Sequence, residues 1–416
     1  MHDANRKMME SSDMKIKRKI RIGIVGTGQR ATAFVANLAS SPDAELTGLC
    51  DTDEKRLHEF AQKYKAAGAK LTCSLEEFLS GDNVDGVVIT VPDGAHREVA
   101  EKCFAAGKHC MIEKPMALTV SDCKAIVRAK LAANRILQVG FVLRFTPFYR
   151  KIKEIVDSGV LGQIMSVSAS ECLSVGHSIS YMRRWHRKKA NSGSFLMAKC
   201  SHDMDMLCWL IGSRPTRVAS FGENNFFLPE KQPATHCSIC PESDSCPYKF
   251  GRQDSGFVVL SEEQKANLSK YDVDLCVYNN DKDIVDNQVC ILEYGSQVRA
   301  TFSLQCFYPC ESERFITITG SGGYLFGTFH RNHIELHFSG TGKKEVFDLN
   351  EEINSGDGHG GGDSRFLREF IECIRDGREP QSDCLAGMAS TVIACAIEEA
   401  RAANKVVVIP ASAYEA

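Results

Sequence analysis

From Lys19 to about Asn134, short apolar runs alternate with amphipathic stretches. "KIRIGIVG", "ELTGLCD", "VDGVVITVP" and "HCMIEKP" predict strands. Arg30 to Ser40, Glu54 to Lys65, "AHREVAEKCFAAG" and "SDCKAIVRAKLAAN" predict the helices between them. The strand runs are apolar at successive positions, which fits burial on both faces of a parallel sheet. Strand and helix repeating at this spacing predict βαβ units and a doubly wound sheet. "RILQVGFVLRF" adds a further strand.

The pattern changes after Thr146. "PFYRKIKEIVDSG" reads as a helix with Pro147 at its start, where a missing N–H is harmless. Strand patterns then dominate: "GQIMSVSASE", "TRVASFGE", "NQVCILEYGSQVRATFSLQCF", "RFITITGSGGYLFGTF" and "HIELHF", several joined by short Gly turns as in an antiparallel meander. "SGSFLMAKCSHDMDMLCWLIG" interrupts them as a helix. Two helices, Asp363 to about Arg375 and Cys384 to about Asn404, and the short strand "KVVVIP" close the chain. The expected architecture is an α/β Rossmann-like domain over 19–145 and an α+β domain over 146–416. Residues 1–18 are expected to be a disordered extension, and 226–270 a polar, cysteine-bearing insertion.

Composition narrows the class. A net charge of -3 over 416 residues gives no bulk attraction to nucleic acid or anionic membrane. No apolar run approaches the ~18 residues of a membrane span. The polar, basic start lacks the apolar centre of a secretory signal. The 18 cysteines, many inside apolar elements (Cys110, Cys208, Cys290, Cys395), then read as small hydrophobes in a reduced, cytoplasmic chain.

Ligands of open parallel sheets bind beyond the carboxyl ends of the strands. The first strand ends in Gly26-Thr27-Gly28-Gln29-Arg30-Ala31, the second in Asp51, a later one in Thr90-Val91-Pro92-Asp93 and the next in Glu113-Lys114-Pro115. Gly26 and Gly28 permit a tight turn and close approach of backbone N–H groups to a pyrophosphate, and Ala31 keeps the third position small. Asp51, 23 residues after Gly28, is near the spacing of a ribose-binding acid. There it would accept from ribose hydroxyls and repel a 2′-phosphate, favouring NAD over NADP. The alternative is that Asp51 only caps the next helix with Asp53. Lys114 reads either as a ligand-edge cation or as a solvent-facing partner of Glu113.

These residues resemble the Gfo/Idh/MocA oxidoreductases. The matching positions are Gly26-Thr27-Gly28, Cys50-Asp51-Thr52-Asp53, Thr90-Val91-Pro92 with His96, Glu113-Lys114-Pro115, Arg144 with Pro147, Gly159-Val160-Leu161-Gly162, "CSHDMDMLCWLIG" from Cys200, and "GHGGGD" from Gly358. The resemblance spans essentially the whole chain from Lys19. It implies a second domain built on a large, mostly antiparallel sheet, often used to oligomerise, so a homo-oligomer (dimer or tetramer) is expected. It implies that Lys114 contacts substrate and nicotinamide, that His202 is the acid/base, and that Thr90, Pro92, His96 and Glu113 belong to the cofactor side. Arg144 and Asp205, the latter one turn after His202, are placed with the substrate.

The chain departs from that family at one point. The aspartate commonly found four residues before the histidine is Ala198 here, with Lys199 beside it. Lys199, His202 and Asp205 fall on one helical arc of about 120°. Lys199 then reads either as a second cation for an oxygen-rich or negative substrate, or as the partner of a neighbouring acid. In "RRWHRKK", Trp185 and His186 could pack on a sugar's C–H face, or the stretch is a solvated charge run. Cys237, Cys240 and Cys246 lie beside His236 in the insertion and resemble part of a zinc knuckle; packed thiols or a disulfide are the other readings, and the metal stays open. The function expected is an NAD-dependent oxidoreductase taking hydride from a secondary hydroxyl of a sugar, cyclitol or glycoside. A redox-neutral, NAD-dependent glycosidase acting through a transient keto-sugar is the alternative.

Overall fold

The structure, a computed structural model, describes residues 18–254, 256, 260–352 and 358–416. The expectation of disorder over residues 1–18 falls, Arg18 apart, outside them. The first sheet has six parallel strands in the order β3-β2-β1-β4-β5-β6, with β1 Ile20–Val25, β2 Ala44–Cys50, β3 Lys70–Thr72, β4 Gly86–Ile89, β5 His109–Ile112 and β6 Leu137–Val139. Ile22, Ile24, Val87, Val88, Met111 and Ile112 are buried, as runs covered on both faces require. Local signals set the helix ends. Asp53 caps the helix Glu54–Lys63, Thr119 caps Val120–Ala133, and Thr146 caps Pro147–Asp157 with proline in the first turn.

Three elements differ from the sequence pattern. The run "RILQVGFVLRF" gives strand only at Leu137–Val139, then a 3-10 turn at Val142–Phe145. Gly140, just past the strand, packs so tightly that a Cβ there would sit 2.9 Å from the Lys114 backbone nitrogen. The three-residue β3 was too short to show a period. The helix Val175–Arg183 directly follows the strand β7, Ile164–Ser174, without a breaker to announce it.

The second sheet has nine strands in the order β14-β13-β12-β11-β7-β10-β9-β8-β15. Its further members are β8 Pro215–Glu223, β9 Asn287–Tyr294, β10 Arg299–Tyr308, β11 Glu313–Gly320, β12 Gly323–Thr328, β13 His333–Phe338, β14 Lys344–Asp348 and β15 Val407–Val408. β7 and β10 pair in parallel; the other neighbours are antiparallel. One face packs under the helices Phe195–Ile211 and Cys384–Ala403. The other presents alternate residues outward, including Met165, Phe221, Val289, Ile291 and Val346. The insertion is tied down by Arg183, which is 1% exposed. It pairs with Asp254 and donates to the carbonyls of Leu275 and Tyr248, both at 2.7 Å.

The two domains are not separate along the chain. The helix Asp363–Asp376, far beyond residue 145, packs back on the first sheet. Phe366, Leu367, Phe370 and Ile371 join Ile22, Ile24, Phe34 and Val88 in one core. The rings of Phe34 and Phe366 stand 6.4 Å apart. Phe366→Ala is expected to lower unfolding free energy by about 3–5 kcal/mol, the scale of a buried aromatic truncation. Chemical denaturation measures it; a loss below about 1 kcal/mol would mean that this helix does not hold the first sheet.

Candidate active site

The carboxyl edge of the first sheet is built around Gly26. Its φ is +93°, and a Cβ there would lie 2.8 Å from the Thr90 and Val91 backbone. Only glycine fits. The Gly26 N–H donates to the Cys50 carbonyl at 2.8 Å, and the Thr90 hydroxyl to the Gly26 carbonyl at 2.6 Å. Gly28, by contrast, faces open space. No side chain caps the helix Ala31–Ala39 that follows; the Thr32 and Ala33 N–H groups turn back to the Gln29 and Arg30 carbonyls at 3.2 and 3.3 Å. Asp51 accepts from the Thr27 N–H at 2.7 Å, the Thr27 hydroxyl at 2.8 Å and the Asp53 N–H at 3.0 Å, and pairs with Arg56. Burial alone would lift its carboxyl; the bonds from Arg56, Asp53 and Thr27 outweigh burial and hold it below the usual carboxylate range. Asp53, not Asp51, caps the next helix. An open glycine, an uncapped helix start and a buried acid at the second strand end fit the pyrophosphate and ribose of a dinucleotide.

His96 braces this edge from behind, with Nδ1 2.9 Å from the Pro115 carbonyl and Nε2 3.1 Å from that of Val91. Both ring nitrogens face backbone, so the expected cofactor contact becomes a clamp on the Glu113-Lys114-Pro115 turn. Glu113 takes Arg30 Nε at 2.8 Å.

Lys114 reaches across to the second domain. Its ammonium donates to the Ala198 carbonyl at 2.7 Å, one helical turn before His202. Burial, joined by Lys199 and Arg30 and opposed by Asp93 and Glu113, pulls the lysine below its usual value. His202 is 5% exposed, and its Nδ1 is buried without a hydrogen-bond partner. Burial, with Lys114, Arg314, His359 and Lys199 nearby, keeps the imidazole well below its ordinary pKa, hence neutral near pH 7. Behind it lies a buried charge network: Lys199 pairs with Glu171 at 3.3 Å, and Arg314 holds Glu171 at 2.6 Å and Asp203 at 3.0 Å. Lys199 is thus the partner of a neighbouring acid.

Arg144 and Asp205 do not stand free for a substrate. They pair bidentately at 2.7 and 2.6 Å, Arg144 also donates to the Gln381 carbonyl, and the pair lines a separate cavity with Trp209 and Asp383. Both groups of Arg144 that could recognise a ligand are spent inside the protein. Trp185 and His186 stack at 3.7 Å, and His186 stands 4.7 Å from Tyr181. His177, 5.7 Å from Tyr181, completes this aromatic wall. Burial depresses both His177 and His186, followed by Lys199, Arg314 and then Lys114 for His177, and by Arg184 and then Lys114 for His186. The sequence pattern does not point to His177 or Asp93; one histidine behind the Ser174 cap and one acid in a strand-end turn carry no spacing signal.

Sequence and fold comparisons agree with this geometry. The family model described as an NAD-binding Rossmann fold of an oxidoreductase family matches residues 20–141, and that of the family's C-terminal α/β domain matches 153–409. The chain belongs to the Gfo/Idh/MocA oxidoreductase family. It is 26% identical to the Bacillus subtilis protein named as the oxidoreductase YteT, over 85% of this chain and 88% of that one. It is 29% identical to myo-inositol 2-dehydrogenase of Thermotoga maritima, over 49% of this chain and 58% of that protein. The chain therefore spans little more than half the length of that dehydrogenase. A levoglucosan dehydrogenase in complex with NADH shares the fold at TM-score 0.76 and 18% identity, over 94% of this chain and 100% of the other.

The zinc reading of this family member's insertion finds no support. Among the described residues no three His, Cys, Asp or Glu side chains are gathered to hold a metal. The thiol of Cys237 is engaged otherwise, accepting from the Phe250 N–H at 3.4 Å and facing Arg183. The cysteines are unpaired.

Asp93 yields a test of the cleft's burial. Burial pushes its carboxyl up to about 6, against the pull of His96 and Lys114. A raised folded-state pKa favours the neutral form, so its stabilising contribution is full below about pH 4 and lost as pH rises through about 6. Asp93→Asn should therefore raise the melting temperature near pH 7.5 and leave it unchanged near pH 4. An equal effect at both would mean the carboxyl is not buried.

Proposed function

We propose that the protein is an NAD-dependent dehydrogenase acting on a secondary hydroxyl of a sugar, cyclitol or glycoside. The observation that carries this reading is the crossing of Lys114 from the first domain to the helix that bears His202. An ammonium beside the reacting oxygen favours developing negative charge there. A neutral, buried imidazole is in the form that accepts the hydroxyl proton. Bound NAD supplies the hydride acceptor. The aromatic wall of Tyr181, Trp185, His186 and His177 suits the C–H face of a ring, and the levoglucosan and inositol dehydrogenases among the similar proteins point to the same substrate class. Outward-facing Phe221, Val289 and Ile291 on the second sheet support a homo-oligomer, and unpaired cysteines support a reducing, cytoplasmic setting.

A panel of sugars, cyclitols and glycosides is assayed for NADH formation and, in parallel, for aglycone release. NADH formed with intact substrate skeleton is expected. Release without net NADH would replace the dehydrogenase by the redox-neutral glycosidase. With the substrate found, Lys114→Ala and His202→Ala should each lower turnover by at least ~100-fold, and His202→Ala should leave NAD affinity nearly unchanged. Near-wild-type turnover in His202→Ala would retire it as the base.

Asp51 sets a separate expectation: NAD should bind at least about tenfold more tightly than NADP, because a carboxylate at the ribose repels a 2′-phosphate. Calorimetric titration of both cofactors decides it. Equal affinities would mean that Arg56, paired to Asp51, receives the phosphate and cancels the discrimination.

A further inference from the structure

His202 lacks what usually fixes a catalytic histidine. Its Nδ1 meets no partner, and the residue one turn earlier is Ala198, which offers only a backbone carbonyl, already taken by Lys114. A proton placed on this ring is disfavoured by burial and by the surrounding cations, so it must move on for the next turnover. A second imidazole stands in the way out. The ring of His359 lies 6.3 Å from that of His202, centroid to centroid, a gap that direct contact or one water spans. Its side chain is 38% exposed. Its Nδ1 is 3.1 Å from one oxygen of Asp363 and 3.2 Å from the other, and the Asp363 side chain is 2% exposed.

The hydrogen-bond arithmetic fixes the tautomer. Arg30 Nη1 also lies 3.4 Å from His359 Nδ1, but Arg30 can only donate and the carboxylate can only accept. With Arg30 Nη2 on Asp363 Oδ1 at 3.2 Å, the consistent arrangement has Nδ1–H donating to Asp363. In the neutral ring this leaves Nε2 as an acceptor. The backbone is committed to this placement: His359, Gly360 and Gly361 run through positive φ (50°, 62° and 87°), and a Cβ on Gly358 would strike the Asp363 carboxylate at 2.2 Å. A histidine in the left-handed region persists only where its surroundings hold it there.

We propose that His359, held by Asp363 and Arg30, is the second proton carrier of the active site, passing the proton from His202 to solvent and so supplying the carboxylate-backed imidazole that Ala198 leaves missing. This rests on the hydroxyl oxidation proposed above. The step balances: the carbinol C–H bond breaks with its electron pair going to NAD, the O–H bond breaks with its pair forming the C=O, and the proton moves to His202, then to His359, then to water. Asp363 and Arg30 are positioning residues.

Two variants tolerate the left-handed backbone. His359→Asn keeps polarity but carries no proton, and His359→Gly opens an imidazole-sized gap. Both should lower turnover by at least ~10-fold with NAD affinity unchanged, and added imidazole should restore a measurable part of the activity of His359→Gly only. Independently of any substrate, nitrogen-15 NMR of the full chain with NAD should show His359 protonated on Nδ1, and Asp363→Asn should abolish that preference. A His359 proton on Nε2 in the wild type overturns the proposal, as does His359→Asn turning over at more than half the wild-type rate while His202→Ala is inactive. If His202→Ala is active too, the proton does not pass through His202 and the relay falls; if no hydroxyl substrate is oxidised, the dehydrogenase reading itself falls, and the NMR tautomer still decides the His359–Asp363 arrangement.

Discussion

A lysine ammonium half-buried between two domains must be satisfied, and this constraint organises the cleft. The Glu113-Lys114-Pro115 turn sits at the end of a parallel strand, where only side chains leave the sheet. Lys114 finds its partner on the other domain, in the Ala198 carbonyl at 2.7 Å. That bond sets the helix Phe195–Ile211 over the strand ends, and His202 arrives beside the cofactor edge one turn later. The sheet edge in turn depends on Gly26, wedged where no Cβ fits, and on His96, whose ring stands between the Pro115 carbonyl of the lysine turn and the Val91 carbonyl of the neighbouring strand end. Disturbing any of these moves the ammonium and the imidazole relative to one another.

The second domain meets this demand with charge as well as shape. Glu171, Lys199, Asp203 and Arg314 are held within a few ångströms behind His202. Two acids and two bases cancel, which is the condition for burying them at tolerable cost. Asp203 still rises to about 6, because burial outweighs Arg314. Burial first, and then nearby cations that include Lys199, push His202, His177 and Lys114 toward their neutral forms. A site whose imidazoles stay uncharged near neutrality is ready to take protons and poorly suited to keep them.

Much of this was legible in the sequence where local chemistry has a period or a punctuation mark. Gly26 and Gly28, Asp51, Glu113-Lys114-Pro115 and His202 lie where strand ends and helical spacing placed them. What escaped depends on contacts between distant segments. The return of Asp363–Asp376 to the first sheet could not be read from an amphipathic pattern that fits either domain. Arg144 and Asp205 carried the right residue types, yet they neutralise each other, which only their 2.6 Å approach reveals. The thiols of the insertion had knuckle-like spacing, but the chain around Cys237 uses its sulfur as a backbone acceptor. His177 emerged from a short helix that Ser174 caps at the end of a strand, a signal too common to mark it.

The pairing of Lys199 with Glu171 also bears on what the cleft can recognise. Read from its helical position alone, Lys199 offered a second cation for a negative substrate. In the fold its charge is answered by Glu171, that of Arg314 by Glu171 and Asp203, and that of Arg30 by Glu113 and Asp363. Among the described residues, Lys114 alone of these cleft cations has a backbone carbonyl rather than a carboxylate as its hydrogen-bond partner. A single ammonium partnered by a neutral dipole favours negative charge that develops on one oxygen during reaction over a full charge carried in by the ligand. The aromatic wall opposite gives the rest of such a ligand an apolar face to lie on. Under the dehydrogenase reading, discrimination then falls to the pattern of ring hydroxyls and C–H faces, and a neutral polyol fits this balance better than an acid.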